Sequence, residues 1–282
     1  MPKIIGILSS AFFLYRKPDM KMKAVFLLCM MIPGLAWNQL ILNSDLSFDY
    51  SVRPGETVRG QIPFQNAGTD SIIVDIYQTD YLFNADGKHF YDEPGPFERS
   101  NAGWIDFSPK QVMLTASQKS VLNYEIHVPD VPALNGTYWS MLMIEETLPA
   151  QAERQGQVQI RFKNRYGVQI ATTLEQDDMT TVKIAIENPN LDVYEDKRKF
   201  RVDIENQGNV LIKPNVWLEV FDADGNSIEV IHATAERLYP ETSRRFNFEL
   251  QQLKPGTYKG ILVVDCGGDD LFGANYTFQL EK

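Results

Sequence analysis

Asn66-Ala67-Gly68, Ala85-Asp86-Gly87 and Gly136-Thr137-Tyr138 return in the same order as Asn206-Gln207-Gly208, Ala223-Asp224-Gly225 and Gly256-Thr257-Tyr258. The offsets are 140, 138 and 120 residues, so the second copy keeps the order of the first and lacks one insertion. Asn, Asp and Gly in these positions are turn formers, and Gly-Thr-Tyr opens an apolar run in each copy. Two copies of one β-unit, with no catalytic cluster joining them, point to a binding or scaffolding protein.

The residues between these turns alternate with a period of two. Val58, Gly60, Ile62 and Phe64 form one such series, and Ile72, Val74 and Ile76 another. Val121, Asn123 and Glu125 face one way, with Leu122, Tyr124, Ile126 and Val128 facing the other. Turns at Arg53-Pro54-Gly55, Pro94-Gly95-Pro96, Pro129-Asp130 and Asn135-Gly136 keep the strands short. The expected fold is all-β: two tandem immunoglobulin-like antiparallel β-sandwiches behind an N-terminal signal segment, with no amphipathic helix after that segment. The first sandwich spans 40–175 and closes on a long strand, Gln157 to Leu174. Glu175 to Asp178 is the linker, and the second sandwich spans 176–282 with strands near Thr181–Glu187, Lys199–Glu205, Asn215–Phe221, Ser227–Ala233, Arg244–Leu250, Thr257–Val264 and Tyr276–Leu280.

Residues 1–38 read as a secretory signal. Lys21 and Lys23 precede the apolar Ala24 to Leu28 and Met30 to Ile32, followed by Pro33-Gly34 and the small Ala36. An upstream apolar stretch, Ile4 to Leu14, places the true start at Met20 or Met22, or else makes the signal unusually long. The apolar run is too short for a membrane span, so no stable transmembrane anchor is expected after its removal. Cys29 follows Leu28 and not a small residue, which argues against a lipoprotein signal. Without 1–38 the chain keeps 22 Lys and Arg against 36 Asp and Glu, a net charge of −14. Such a surface repels nucleic acid and anionic lipid. Cys266 alone remains, so no intrachain disulfide forms, a pattern of bacterial export.

Trp104-Ile105-Asp106-Phe107-Ser108-Pro109, then Val112 and Leu114, Val128-Pro129 and Gly136-Thr137-Tyr138, resemble the first domain of bacterial WxL-interacting surface proteins. Arg165-Tyr166-Gly167-Val168 and the stretch from Asn206-Gln207-Gly208 to Gly256-Thr257-Tyr258 fit that family's second domain, so the resemblance spans roughly 45–281. It implies tandem immunoglobulin-like domains that bind an envelope or surface protein, or peptidoglycan or another glycan. No membrane anchor follows Lys282, a departure from the Gram-positive members that favours a soluble periplasmic or secreted form. The layout is also similar to periplasmic pilus chaperones, although their strongly cationic cleft is not obvious here. That similarity implies a subunit chaperone acting by β-strand pairing.

Two constellations are candidate partner-binding residues. Arg161, Lys163 and Arg165 place three cations on one strand face of an acidic protein; they contact a carboxylate or anionic glycan, offer an edge to a partner strand, or guard that edge against aggregation. Phe90, Tyr91, Phe97 and Trp104 lie where the first copy is longer than the second; on a surface loop they stack on sugar rings or a peptide, and otherwise they plug the end of a sandwich. Trp104, at the start of an apolar strand, is the expected core member. His89, His127 and His232 lack metal-ligand spacing, and Asp222-Ala223-Asp224-Gly225-Asn226 lacks the closing Glu of a calcium loop and reads as a hairpin turn. Gly-x-Ser-x-Gly, a phosphate loop and His-Glu-x-x-His are all absent, which leaves a hydrolase as a poor third reading. No cofactor and no metal are expected.

Overall fold

Short alternating runs separated by turn residues can bury one face each, and they do so here in four sheets. The computed structural model describes residues 40–147, 163–174, 179–194, 197–250 and 253–280. The signal segment 1–38, Arg161 with the rest of 157–162, and the linker 175–178 lie outside the described residues.

The first copy supplies ten strands: β1 (Leu40–Leu42), β2 (Ser47–Ser51), β3 (Thr57–Asn66), β4 (Ile72–Phe83), β5 (His89–Asp92), β6 (Ile105–Ser108), β7 (Gln111–Leu114), β8 (Lys119–His127), β9 (Gly136–Thr147) and β10 (Arg165–Leu174). One sheet has the order β1-β3-β8-β6. The other has the order β2-β10-β9-β4-β5, with β7 on the same edge of β4 as β5 but at its other end. The second copy supplies β11 (Ile184–Tyr194), β12 (Lys197–Asn206), β13 (Asn215–Phe221), β14 (Ser227–His232), β15 (Ser243–Glu249), β16 (Gly256–Asp265) and β17 (Leu271–Leu280), in sheets β11-β12-β15 and β14-β13-β16-β17. The protein is thus an all-β pair of immunoglobulin-like sandwiches.

The described part of the closing strand begins at Arg165, so Lys163 precedes it. Trp104 ends a single 3-10 turn, Ala102–Trp104, and does not begin the strand. The antiparallel expectation has one exception. The chain pairs β1 antiparallel with β3, turns through residues 43–46, and then pairs β2 parallel with β10 in the opposite sheet.

The repeat has a physical cause. Asn66 and Asn206 end β3 and β12 with their side chains fully buried. Asn66 Nδ2 donates to the carbonyls of Asp70, Leu114 and Thr115, and Gly68 N–H donates back to its Oδ1 at 2.9 Å. Asn206 does the same with Val210, Leu238 and Gly208. Each amide bridges the turn after its own strand to a second chain segment, adding a side-chain donor to the carbonyls that meet there. The Asp-Gly words are hairpin turns: Gly87 and Gly225 have φ of +82° and +86°, and their N–H groups donate to Asn84 and Asp222. Asp222 accepts from the Asp224 and Asn226 backbones, as the turn reading expects.

The first core holds Ile62, Phe64, Leu122, Tyr124, Leu142 and Ile170 between the two sheets of the first sandwich. Gly60 is required there, because a Cβ would stand 2.1 Å from the Tyr124 ring. The second core, around Phe200, Phe246, Phe248 and Leu262, continues into Tyr81, Phe83, Trp139 and Met141 of the first sandwich.

Replacing Asn206 by Ala leaves the Val210 carbonyl and the Gly208 N–H without the partner they have here, while Leu238 O keeps the Ile212 N–H. It should lower unfolding free energy by about 2–3 kcal/mol in urea titration, and Asn66→Ala should do likewise. A change below about 0.5 kcal/mol in either would show that the amide is not the bridge.

Candidate functional site

Side chains alternate between the two faces along β4, β9 and β10, so each strand sends one set into the first core and the other to the outer face of its sheet, and β9 is buried on both faces for most of its length. That outer set is Tyr77, Tyr81 and Phe83 on β4, with Trp139, Met141, Met143 and Glu145 on β9. From β10 come Arg165, Gly167, Gln169 and Ala171. Part of this face is covered by the second sandwich and part is open.

The covered part turns on Trp139, which is fully buried. Its indole stacks on Tyr239 with ring centroids 4.6 Å apart, and its Nε1–H donates to the Tyr81 carbonyl at 2.7 Å. Tyr239 OH donates to Gln169 Oε1 at 2.6 Å and accepts from Arg237 at 3.1 Å. Burial pushes the Tyr239 phenol up to about 12. Arg237 pairs with Asp49 on β2, and Lys213 Nζ adds a second contact to that carboxylate at 2.5 Å. Burial works to raise the Asp49 carboxyl, but the Arg237 and Lys213 hydrogen bonds outweigh it and hold the group below its ordinary value. Thr137 N–H donates to Asn209 O, and Leu211 N–H donates to Thr137 Oγ1, both at 2.7 Å. The Gly136 position admits no side chain, since a Cβ would lie 2.0 Å from Asn209 O.

The open part contains Lys163, Arg165 and Tyr91 of the candidate residues. Glu145 pairs with Lys163 and accepts from Tyr77 OH at 2.5 Å. Burial disfavours its charge, yet these two hydrogen bonds keep its carboxyl below the usual range. Arg165 lies over the ring of Tyr91, 5.9 Å from its centroid. Lys163, Arg165 and Tyr91 are therefore neighbours. Lys163 is neutralised by Glu145, which weakens the expected cationic stripe, and Arg161 lies outside the described residues.

Phe90 and Tyr91 sit on β5 and are 40% and 47% exposed, so they belong to a strand and not a loop. Phe97 is elsewhere, edge-on to Trp139 at 5.1 Å. Its position is set by Asp80, a buried carboxylate that accepts from the Gly95 and Phe97 N–H groups and from Ser100 Oγ. Trp104 is half-buried against Tyr138, 4.8 Å away, and packs against the first core. The four aromatics do not form one surface.

The edge of β10 matters most. Along its length one side pairs with β9, but β2 covers the other side only from Gln169 to Thr173. The Glu146 N–H to Asn164 O bond fixes the alternation, which turns the backbone groups of Arg165 and Gly167 toward the uncovered side. Neither N–H has a partner among the described residues. Gly167 is needed for a separate reason, since its Cβ would stand 2.3 Å from Met141 Sδ.

The sequence reading missed Trp139, Tyr239, Arg237 and Asp49. A signal existed in the repeat: Trp139 directly follows Gly136-Thr137-Tyr138, where the second copy has Lys259. A tryptophan on the outward face, at a position that is otherwise a solvated lysine, marks a covered sheet.

Among the described residues no three of His, Cys, Asp and Glu gather as a metal site, and no helix is long and apolar enough to cross a membrane. No family model and no curated protein matches the chain, so the WxL-interacting resemblance gains no support.

Asp49→Asn should loosen the clamp between the sandwiches and lower stability by about 1–2 kcal/mol near neutrality, a modest value because the carboxylate is partly exposed. The folded-state value is depressed, so this contribution is present above the ordinary 3.8 and fades as pH falls through the lowered value. Melting curves of both proteins from about pH 7 to about pH 2 should converge in acid. A constant gap would show that Asp49 is unpaired.

Solved structures of other proteins are similar to the chain at low identity. They include a chain of the chaperone–tip adhesin complex of CFA/I fimbriae, at 11% identity and TM-score 0.46, covering 85% of this chain and 98% of that one. The class 5 fimbriae chaperone CfaA matches at 12% identity and TM-score 0.42, covering 86% and 99%. A chain of the Salmonella enterica SafA pilin complex with the SafB chaperone matches at 13% identity and TM-score 0.41, covering 88% and 99%.

Proposed function

We propose that this is an exported, non-catalytic protein of the bacterial envelope, with 1–38 as its signal and sandwiches at 40–175 and 176–282. On this reading it is a periplasmic chaperone for a surface or pilus subunit and holds that protein by β-strand pairing. The observation that carries the reading is the half-covered edge of β10, where the backbone groups of Arg165 and Gly167 have no strand partner among the described residues. An added strand gains main-chain hydrogen bonds there, while pockets for alternate side chains supply selectivity. The sequence before it, Val158, Ile160 and Phe162, carries the alternating apolar residues such a strand needs. Beside the edge, Tyr77 and Tyr91 give apolar contact and Arg165 a cation. Holding the edge beside a rigid second sandwich limits the ordering cost of capture.

Arg165→Pro tests this directly. The lost N–H is one that no described strand uses, and proline is tolerated where the N–H faces outward on an edge. The variant should fold, with a melting temperature within a few degrees of wild type. Its co-purification with secreted subunits from envelope extract should drop by about tenfold or more. Full retention of those partners by a folded Arg165→Pro protein, or by Arg161→Glu with Arg165→Glu, would overturn strand capture at this edge.

A further inference from the structure

A second open edge lies on the other sandwich, and its chemistry is unlike that of every other described edge. β17 ends the sheet β14-β13-β16-β17 and pairs with β16 alone. The Cys266 N–H to Asp270 O bond sets the alternation, so the even-numbered residues Phe272 to Leu280 exchange hydrogen bonds with β16. The odd-numbered residues turn their backbone groups outward. The N–H groups of Gly273, Asn275, Thr277 and Gln279 have no partner among the described residues, and β11 of the facing sheet touches the strand without hydrogen bonding to it.

Exposed edges are normally guarded by charge, proline, a bulge or short length. The other described edges follow that rule. β11 carries Pro189 and a register shift after Glu187, β14 carries Glu229, and β15 carries Arg244, Arg245 and Glu249. β2 has Asp49, β5 has Asp92, β6 has Asp106, and the open end of β10 has Arg165. β1 and β7 are three and four residues long. β17 runs for ten residues, Leu-Phe-Gly-Ala-Asn-Tyr-Thr-Phe-Gln-Leu, with no charge, no proline and no bulge.

We infer that β17 pairs antiparallel with β17 of a second copy, joining the two four-stranded sheets into one. The strand is complementary to itself about Asn275. On one face Gly273 meets Thr277 and Asn275 meets its own counterpart. On the other Ala274 meets Tyr276 and Phe272 meets Phe278. Gly273 and Ala274 leave room for Thr277 and Tyr276, Phe272 and Phe278 are both apolar, Leu271 meets Gln279 at the ends, and the central pair is two amides able to hydrogen-bond each other. A two-fold axis between the two β17 strands, level with Asn275, gives the closed, isologous contact that soluble dimers favour, with about eight new backbone hydrogen bonds. Charge supports the same occupant: in a chain of net charge −10, two copies can meet without like-charge repulsion at an uncharged strand.

Sedimentation velocity on the purified protein, over a range of concentrations, tests the pairing. Wild type should show a monomer–dimer equilibrium. Asn275→Lys sets two ammonium groups face to face at the axis and should weaken the dimer by at least about tenfold while leaving the melting temperature and β10-dependent partner capture unchanged. Should that variant misfold, Thr277→Lys serves the same purpose, and Asn275→Cys in a Cys266→Ser background should give a disulfide-linked dimer on mild oxidation that an Asp224→Cys control does not. A strictly monomeric wild type, or a dimer that the lysine variants leave intact, overturns the inference. So does a monomer that loses an envelope partner on Asn275→Lys, which would assign the edge to a foreign strand. Failure of β10 capture alone leaves these readouts untouched.

Discussion

The stack of Tyr239 on Trp139 is the contact on which the rest of the arrangement depends. Trp139 points away from the first core, onto a sheet face where water is the default neighbour. A fully buried indole can exist there only if a second layer covers it, and Tyr239 supplies that layer with its ring nearly parallel. Burying a tyrosine requires a partner for its hydroxyl, so Gln169 of β10 becomes an acceptor and Arg237 a donor. The Arg237 guanidinium then needs an anion, and Asp49 provides it from β2. One aromatic contact thus fixes the relation between two sandwiches, and the polar groups align around it.

Because of that stack, the second core does not end at its own sheets. Phe83, Met141 and Ala171 join it from the first sandwich, so the two cores meet across a sheet with no solvent layer between them. The outer face of β4, β9 and β10 is divided as a result. Near Trp139 it is an internal surface; near Tyr77, Glu145 and Arg165 it is an external one whose charges largely balance each other. Glu145 is the pivot of that balance, held ionised by Lys163 and Tyr77 against the cost of its partial burial.

Much of the architecture was legible from local chemistry. Glycines at positive φ, buried turn asparagines and period-two alternation are encoded within a few residues, so the hairpins at Asp86-Gly87, Asp224-Gly225 and Gly267-Gly268 and most strands of the second sandwich could be read directly. Contacts between distant segments were not legible that way. Nothing near Phe97 says that Asp80 will gather its loop onto Trp139, and nothing near Lys163 says that Glu145 will neutralise it. Grouping Phe90, Tyr91, Phe97 and Trp104 by sequence proximity failed because a strand, an Asp80-bound loop and a 3-10 turn send them to separate surroundings. The exchange of Trp139 for Lys259 between the copies was the one local trace of the interface.

The crossover at residues 43–46 has a consequence beyond topology. By leaving β3 and joining β10 in parallel, the chain's own N-terminal strand occupies β10 from Gln169 onward, with Leu46 O accepting from Gln169 N–H at the point of arrival. The crossover is a built-in stop. On the proposed strand-capture reading it fixes where an adjoining strand would end, so the protein's own register, and not the length of a visitor, would decide how much of β10 is shared.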